Sequence, residues 1–203
     1  MATSFLAFGD SLTEGVLSQE GTFHLFEDLP SSYPTQLRAI LVRRYPAQVP
    51  AVVNDGRRGE WATDGAARFT RSLAQHPAQA VLLLEGVNDL TARGRAGIPD
   101  TVTAIDSMLR DGRATGTRVL LATMFSTRPG SINGGDSAPL IADYNSRLRE
   151  LATQRGAVIV DLESAFGRDY SLLGPDGLHP NSAGYERMAV TFFNVIQRTF
   201  EVP

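Results

Sequence analysis

Five short apolar runs recur along the chain, at residues 5–8, 49–53, 80–84, 118–123 and 157–160. Four are rich in valine, isoleucine or leucine and lack helical spacing, as strands buried on both faces of a parallel sheet would. The run at 5–8 is short and joins them as the first strand. Between the runs the period changes to that of a helix. Leu37, Ile40, Leu41 and Arg44 predict a helix starting near Ser32, and Ala66, Phe69, Arg71 and Leu73 predict another ending before Pro77. Val102, Ile105, Met108 and Leu109 mark a third, ended by Gly112 or Gly116; Ile141, Tyr144, Leu148 and Leu151 mark a fourth, closed by Gly156. Tyr185, Met188, Ala189, Phe192 and Ile196 mark the last. Strand and helix alternate, so the expected fold is α/β, with a parallel sheet and helices on both faces. Two Gly/Pro-containing stretches, 91–99 and 126–139, read as long loops, where specificity tends to sit.

A length of 203 residues, 42% of them hydrophobic, fits one domain, expected to cover 1–203, with a core of ordinary size. The formal net charge is -3, and all 19 basic residues are arginine. They are scattered, with only Arg43-Arg44 and Arg57-Arg58 adjacent, so no basic stripe points to nucleic acid. The chain has no cysteine, which excludes a disulfide framework, a thiolate metal site and a cysteine nucleophile. No apolar stretch is long enough to span a bilayer, so no integral membrane segment is expected. Met1 to Ser4 run straight into the first apolar run, leaving no room for a signal peptide. The expectation is a cytoplasmic protein if Met1 is the native start, and a secreted one if a leader has been removed.

In an open parallel sheet, ligands bind beyond the carboxyl ends of the strands. After the first strand comes Gly9-Asp10-Ser11-Leu12; after the second, Asn54-Asp55-Gly56-Arg57-Arg58-Gly59; after the third, Gly86-Val87-Asn88-Asp89. Ahead of the last helix comes Asp176-Gly177-Leu178-His179-Pro180. Together these match the needs of acyl transfer. A serine hydroxyl requires a base to take its proton, which His179 can supply. The imidazole in turn requires a carboxylate on its other nitrogen, and Asp176 lies three residues earlier in the same turn. The developing oxyanion needs donors already in place, for which the candidates are the N–H groups of Ser11 and Gly59 and the side-chain amide of Asn88.

These four blocks resemble those of the SGNH hydrolase superfamily of GDSL-type esterases and lipases. Phe8-Gly9-Asp10-Ser11-Leu12-Thr13-Glu14-Gly15 is similar to the nucleophile block, and Asn54-x-Gly56-x-x-Gly59 to the second, whose later glycine aligns with the oxyanion donor. Gly86-x-Asn88-Asp89 is similar to the third block and Asp176-x-x-His179-Pro180 to the last. The resemblance covers most of the chain. It implies a three-layer α/β/α, flavodoxin-like sandwich on a five-stranded parallel sheet. It also implies hydrolysis of esters or thioesters through an acyl-enzyme on Ser11, with no metal and no cofactor. A departure lies at Glu60-Trp61-Ala62-Thr63, where many relatives have smaller polar residues, so Trp61 is expected to line or narrow the pocket.

Blander readings compete at several positions. Asp10 is expected to cap backbone groups around Ser11 rather than serve as the triad acid, because adjacent side chains on a turn point apart. Asp89 is read as a structural brace, Arg57, Arg58 and Glu60 as a solvated charge cluster, and His76-Pro77 as a helix end. His24 is read as a surface or packing residue. His24 and His76 lack ligand spacing with His179, which argues against a metal site. Among substrates, short-chain acyl esters rank first, because the chain is small and shows no apolar lid. Acetylated sugars come next, with the polar loop 130–137 as the glycan contact; lysophospholipids and thioesters also fit. A silent carbohydrate-binding module would lack the nucleophile or the base, and both are present. A flavin or nucleotide binder would need G-x-G-x-x-G or G-x-x-x-x-G-K-[ST], which the first loop lacks.

Overall fold

The computed structural model describes residues 3–19 and 25–201, so His24 lies outside the described residues. Five parallel strands form the central sheet: β1 (Ser4–Gly9), β4 (Ala51–Gly56), β5 (Ala80–Leu84), β6 (Arg118–Ala122) and β7 (Val158–Val160). Their order is β4-β1-β5-β6-β7. Numbered among themselves the strands run 2-1-3-4-5, the flavodoxin-like order. β1 sits between β4 and β5, in register Phe8 with Asp55 on one side and with Leu83 on the other. The three strands that lead into Ser11, Gly59 and Asn88 are therefore neighbours, and their carboxyl ends open on one edge of the sheet.

Helices cover both faces. α2 (Tyr33–Arg44) packs with α8 (Ser182–Phe200) on one; α3 (Ala62–Gln75), α5 (Ile98–Ala114) and α6 (Ile141–Arg155) pack in sequence on the other. The core between layers is apolar and includes all five residues of β5, consistent with a central strand. Aromatic pairs lock the layers, with Phe8 edge-on to Phe69 of α3 and Tyr33 of α2 stacked on Phe192 of α8.

Several elements depart from the periodicity. β4 starts at Ala51 rather than 49, because Val49 takes a left-handed φ of 46° that breaks the extended run. The expected loop 91–99 is mostly helical: α4 (Val87–Arg93) continues through a 3-10 turn, Gly94–Gly97, into α5. Two prolongations of the first block were not legible, α1 (Ser11–Glu14) and an antiparallel hairpin of β2 (Val16–Ser18) and β3 (Leu25–Glu27). A short α7 (Leu162–Phe166) completes the set. Gly112 lies within α5, and it is Gly116 that follows the helix end.

Gly86, at the turn from β5 into α4, has φ +109°, and a Cβ there would sit 2.4 Å from the Tyr144 hydroxyl. That hydroxyl donates to the Glu85 carbonyl at 2.8 Å and cannot easily move. Gly86→Ala combines left-handed strain with overpacking and is expected to destabilise the fold by about 3 kcal/mol or more. Chemical denaturation checks this; a loss under about 1 kcal/mol would show that α4 absorbs the methyl group by shifting.

Candidate active site

The nucleophile block is a strand-to-helix turn. Asp10 ends the extended backbone of β1 and caps α1, its Oδ1 accepting from Leu12 N–H at 2.9 Å. Ser11 is thereby fixed as the first residue of the helix, where N–H groups have no intrahelical acceptor. At the far end of the chain, Asp176 to Pro180 form a tight loop ahead of α8, closed by a hydrogen bond from Gly174 N–H to the His179 carbonyl at 2.7 Å. Asn181 then caps α8 through Gly184 N–H.

The two loops meet. Ser11 Oγ lies 2.9 Å from His179 Nε2, and His179 Nδ1 lies 2.6 Å from Asp176 Oδ2. All three side chains are buried, His179 being 3% exposed. A carboxylate can only accept, so Nδ1 carries the proton and Nε2 is left to accept from the serine hydroxyl. Burial raises the Asp176 pKa, but the His179 hydrogen bond and charge, the Asn133 amide and the Leu178 N–H together hold it well below the usual carboxylate range.

Asp176 is gripped from both sides. Its Oδ1 accepts from Ser18 Oγ (3.0 Å), Leu178 N–H (3.2 Å) and His179 N–H (3.1 Å). Its Oδ2 accepts from Asn133 Nδ2 at 3.0 Å besides His179. Neither Ser18 nor Asn133 was found from the sequence. Ser18 belongs to the unforeseen hairpin, and Asn133 lies in the 126–139 loop, which carries no periodicity. That loop is further pinned to the acid's turn by Arg128 N–H to the Gly177 carbonyl (2.8 Å) and Asn133 N–H to the Asp176 carbonyl (3.2 Å).

On the opposite side, Gly59 holds a left-handed φ of +74° with no atom within 4 Å of a would-be Cβ. The glycine therefore answers to the dihedral, and the space above it is open. Asn88 Nδ2 donates to the Glu60 carbonyl at 2.9 Å, which orients the amide and leaves its second hydrogen available. Asp89 Oδ2 accepts from Ala62 N–H at 3.0 Å, tying α4 to the start of α3, as its reading as a brace anticipated. Trp61 follows Glu60 with 37% of its surface exposed, and the Arg93 guanidinium stands 5.7 Å from its ring centroid.

One expectation fails. Arg57 and Arg58 are largely exposed, but Glu60 is not a solvated charge; it is buried and paired with Arg68. Arg68, not Arg71, falls on the inward stripe of α3 with Ala62, Gly65 and Phe69. An arginine on a buried stripe demands a buried carboxylate, and that is the signal that could have found the pair.

The family assignment follows from the chain itself. Residues 7–187 match the model of the GDSL-like Lipase/Acylhydrolase family. The chain belongs to this family. With membership goes the hydrolysis of carboxylic esters, and the family's Ser-His-Asp arrangement is the one met here in the hydrogen bonds of Ser11, His179 and Asp176. Among relatives of the GDSL-like chain is a multidomain esterase of Ruminococcus flavefaciens, 28% identical over 120 residues; the match takes in 58% of this chain and spans 15% of that protein's length. An acetylxylan esterase of Geobacillus stearothermophilus is 24% identical over 94% of this chain and 92% of its own. The crystal structure of a carbohydrate acetylesterase from Sinorhizobium meliloti superposes with a TM-score of 0.82 at 15% identity, covering 98% of this chain and 100% of that one. Among the described residues of the GDSL-like chain, no group of three or more His, Asp or Glu side chains is arranged to hold a metal ion, and no helix is long and apolar enough to cross a membrane.

The Asp10 carboxyl is wholly buried, with one oxygen unpartnered. Burial, with the nearby Glu60 and Asp89 charges, pushes it up to about 7 against the opposing pull of Leu12 N–H. The folded protein thus holds this proton more tightly than the unfolded chain, so stability falls as pH rises from the ordinary aspartate range through about 7. In Asp10→Asn that slope is removed while an oxygen remains for Leu12. The variant is expected to gain on the wild type between pH 5 and 7, with no further gain above pH 8. Thermal melts of both proteins across that range check it; parallel curves would show that Asp10 ionises normally.

Proposed function

We propose that the GDSL-like chain cleaves short-chain acyl esters with Ser11 as nucleophile, His179 as general base and acid, and Asp176 as the group that fixes and stabilises the imidazole. The observation that carries this reading is the continuous hydrogen-bonded line Ser11–His179–Asp176, buried at the carboxyl edge of the sheet. Ser11 Oγ attacks the carbonyl carbon while its proton passes to His179 Nε2. The negative charge on the carbonyl oxygen is met by the N–H groups of Ser11 and Gly59 and by Asn88 Nδ2. Collapse breaks the bond to the leaving oxygen, which takes the proton from His179. Water then repeats the sequence on the acyl-serine and releases the acid. Asp176 stays ionised throughout and balances the imidazolium.

The acyl group is read as short because the chain is small and its sequence carries no apolar stretch that reads as a lid. A second reading, an acetyl esterase acting on carbohydrate, is supported by the acetylxylan esterase that matches nearly the whole chain. Trp61, partly exposed and two residues after Gly59, suits a sugar ring in that case. Turnover of p-nitrophenyl acetate, butyrate and octanoate, set beside acetate release from acetylated xylan, separates the readings. The first expects kcat/KM to fall with chain length and simple esters to be good substrates. Efficient deacetylation of xylan with negligible turnover of simple esters would reverse the order.

A further inference from the structure

Beneath the Gly59–Asn88 side of the site lies a buried set of charges that the catalytic scheme leaves unused. Arg68, 7% exposed, forks onto Glu60 through Nε to Oε1 (2.6 Å) and Nη2 to Oε2 (2.5 Å). Its Nη1 donates to Asp55 Oδ2 at 2.7 Å and to Ser72 Oγ at 3.2 Å, and Nη2 also reaches the Asp55 carbonyl at 2.9 Å. The guanidinium lies over Phe8, 3.8 Å from the ring centroid. Phe8 belongs to β1 and Asp55 to β4, so one cation ties α3 to the two strands that lead into Ser11 and Gly59.

The other end of the clamp is Glu60. It follows Gly59 directly, and its carbonyl is the acceptor that orients Asn88 Nδ2. Behind it stands Glu85, buried, with neither carboxyl oxygen accepting a hydrogen bond. Burial and the neighbouring Asp10 and Glu60 charges push the Glu85 carboxyl well above the usual carboxylate range, so it can hold a proton beside Glu60. Asp10 and Asp89 complete the set, so that its carboxyls outnumber Arg68, the one buried arginine among the described residues. A buried ion pair of this kind is seldom more stabilising than apolar packing. What a bidentate fork supplies beyond other contacts is fixed orientation.

We infer that Arg68 and Glu60 are positioning residues for the oxyanion hole, their ion pair holding Gly59 and, through the Glu60 carbonyl, Asn88 in place before substrate arrives. This rests on the proposal that Gly59 and Asn88 supply oxyanion donors. Donors aimed at charge that appears only in the transition state act on kcat and hardly on substrate binding. Loosening them has the same signature.

The test uses Glu60→Gln, which keeps the side chain's shape and the carbonyl that accepts from Asn88, with Arg68→Lys in parallel. Each is expected to lower kcat on p-nitrophenyl acetate by about ten- to a hundredfold, with KM within about threefold of wild type. Affinity for a short alkylboronic acid, which forms a tetrahedral adduct on Ser11 Oγ, should fall by a similar factor. In an Asn88→Ala background the Glu60→Gln loss should be smaller than in the wild type, since one of the two donors it aims is gone and only the part acting through Gly59 remains. Should Arg68→Lys fail to fold, Glu60→Gln and the cycle with Asn88→Ala decide the matter. A folded Glu60→Gln with kcat within threefold of wild type overturns the inference, as does a loss of equal size with and without Asn88. Wild-type turnover by Asn88→Ala overturns the oxyanion assignment itself, and the inference with it. That outcome is distinct, because it is read before Glu60 is touched.

Discussion

Ser11→Ala is expected to lower kcat on a simple acyl ester by about 10⁴- to 10⁶-fold, leaving a folded protein that still binds substrate. Among the described residues the hydroxyl removed is the nucleophile in contact with His179 Nε2, and the proposed route to an acyl-enzyme goes with it. His179→Ala should lose a similar factor, because an unassisted serine is nearly inert at neutral pH. The double variant should be little slower than either single one, since the two side chains act as a unit. Steady-state kinetics on the three variants, with circular dichroism to establish folding, provide the check. A single variant retaining a tenth of the wild-type rate would remove Ser11 or His179 from its role.

Asp176→Asn carries the second largest effect, about 10³- to 10⁴-fold in kcat. The surroundings decide how the asparagine sits. Three donors, Ser18 Oγ and the N–H groups of Leu178 and His179, converge on the Oδ1 position and require an acceptor there. The new NH₂ is therefore forced to the Oδ2 position, where it faces the Asn133 amide and His179 Nδ1. His179 must then accept at Nδ1 and carry its proton on Nε2, and a protonated Nε2 cannot take the serine's hydrogen. The clash of two donors at Asn133 adds a stability cost, visible as a lower Tm. Asp176→Asn with kcat within tenfold of wild type would mean that the imidazole is held by something other than this carboxylate.

Much of the fold was legible because its layers obey simple periods. The run at 80–84 matches β5 residue for residue, since a central strand buried on both faces has no polar interruptions. β4 is an edge strand, exposed or half-buried along its length, and the left-handed φ of Val49 delays its start to Ala51, two residues into the apolar run. The short elements were opaque for a different reason. α1, the hairpin and α7 owe their shape to caps and tertiary contacts, such as Asp161 accepting from Ser164 N–H, and not to any repeat. At the site, Ser11, Gly59, Asn88, Asp176 and His179 each follow a strand or precede a helix, which is why strand order alone gathers them. Ser18, Asn133 and Arg68 support those residues from elsewhere in the chain, and sequence distance hides that support. Glu60 was misread because its charge looked solvated in isolation; its partner lies eight residues on, one face of a helix away.

The tie between Asn133 and Asp176 has a bearing on how substrate range can change. In many hydrolases a peripheral loop is free to lengthen or retract, and selectivity drifts without touching turnover. Here the 126–139 segment shares three hydrogen bonds with the turn that bears the acid and the imidazole. Reshaping it would therefore disturb the contacts of Asp176, and with them the hold on His179, at the same time. On the proposed reading, with this segment bordering the leaving group, variants selected for larger leaving groups are expected to lose rate on small ones.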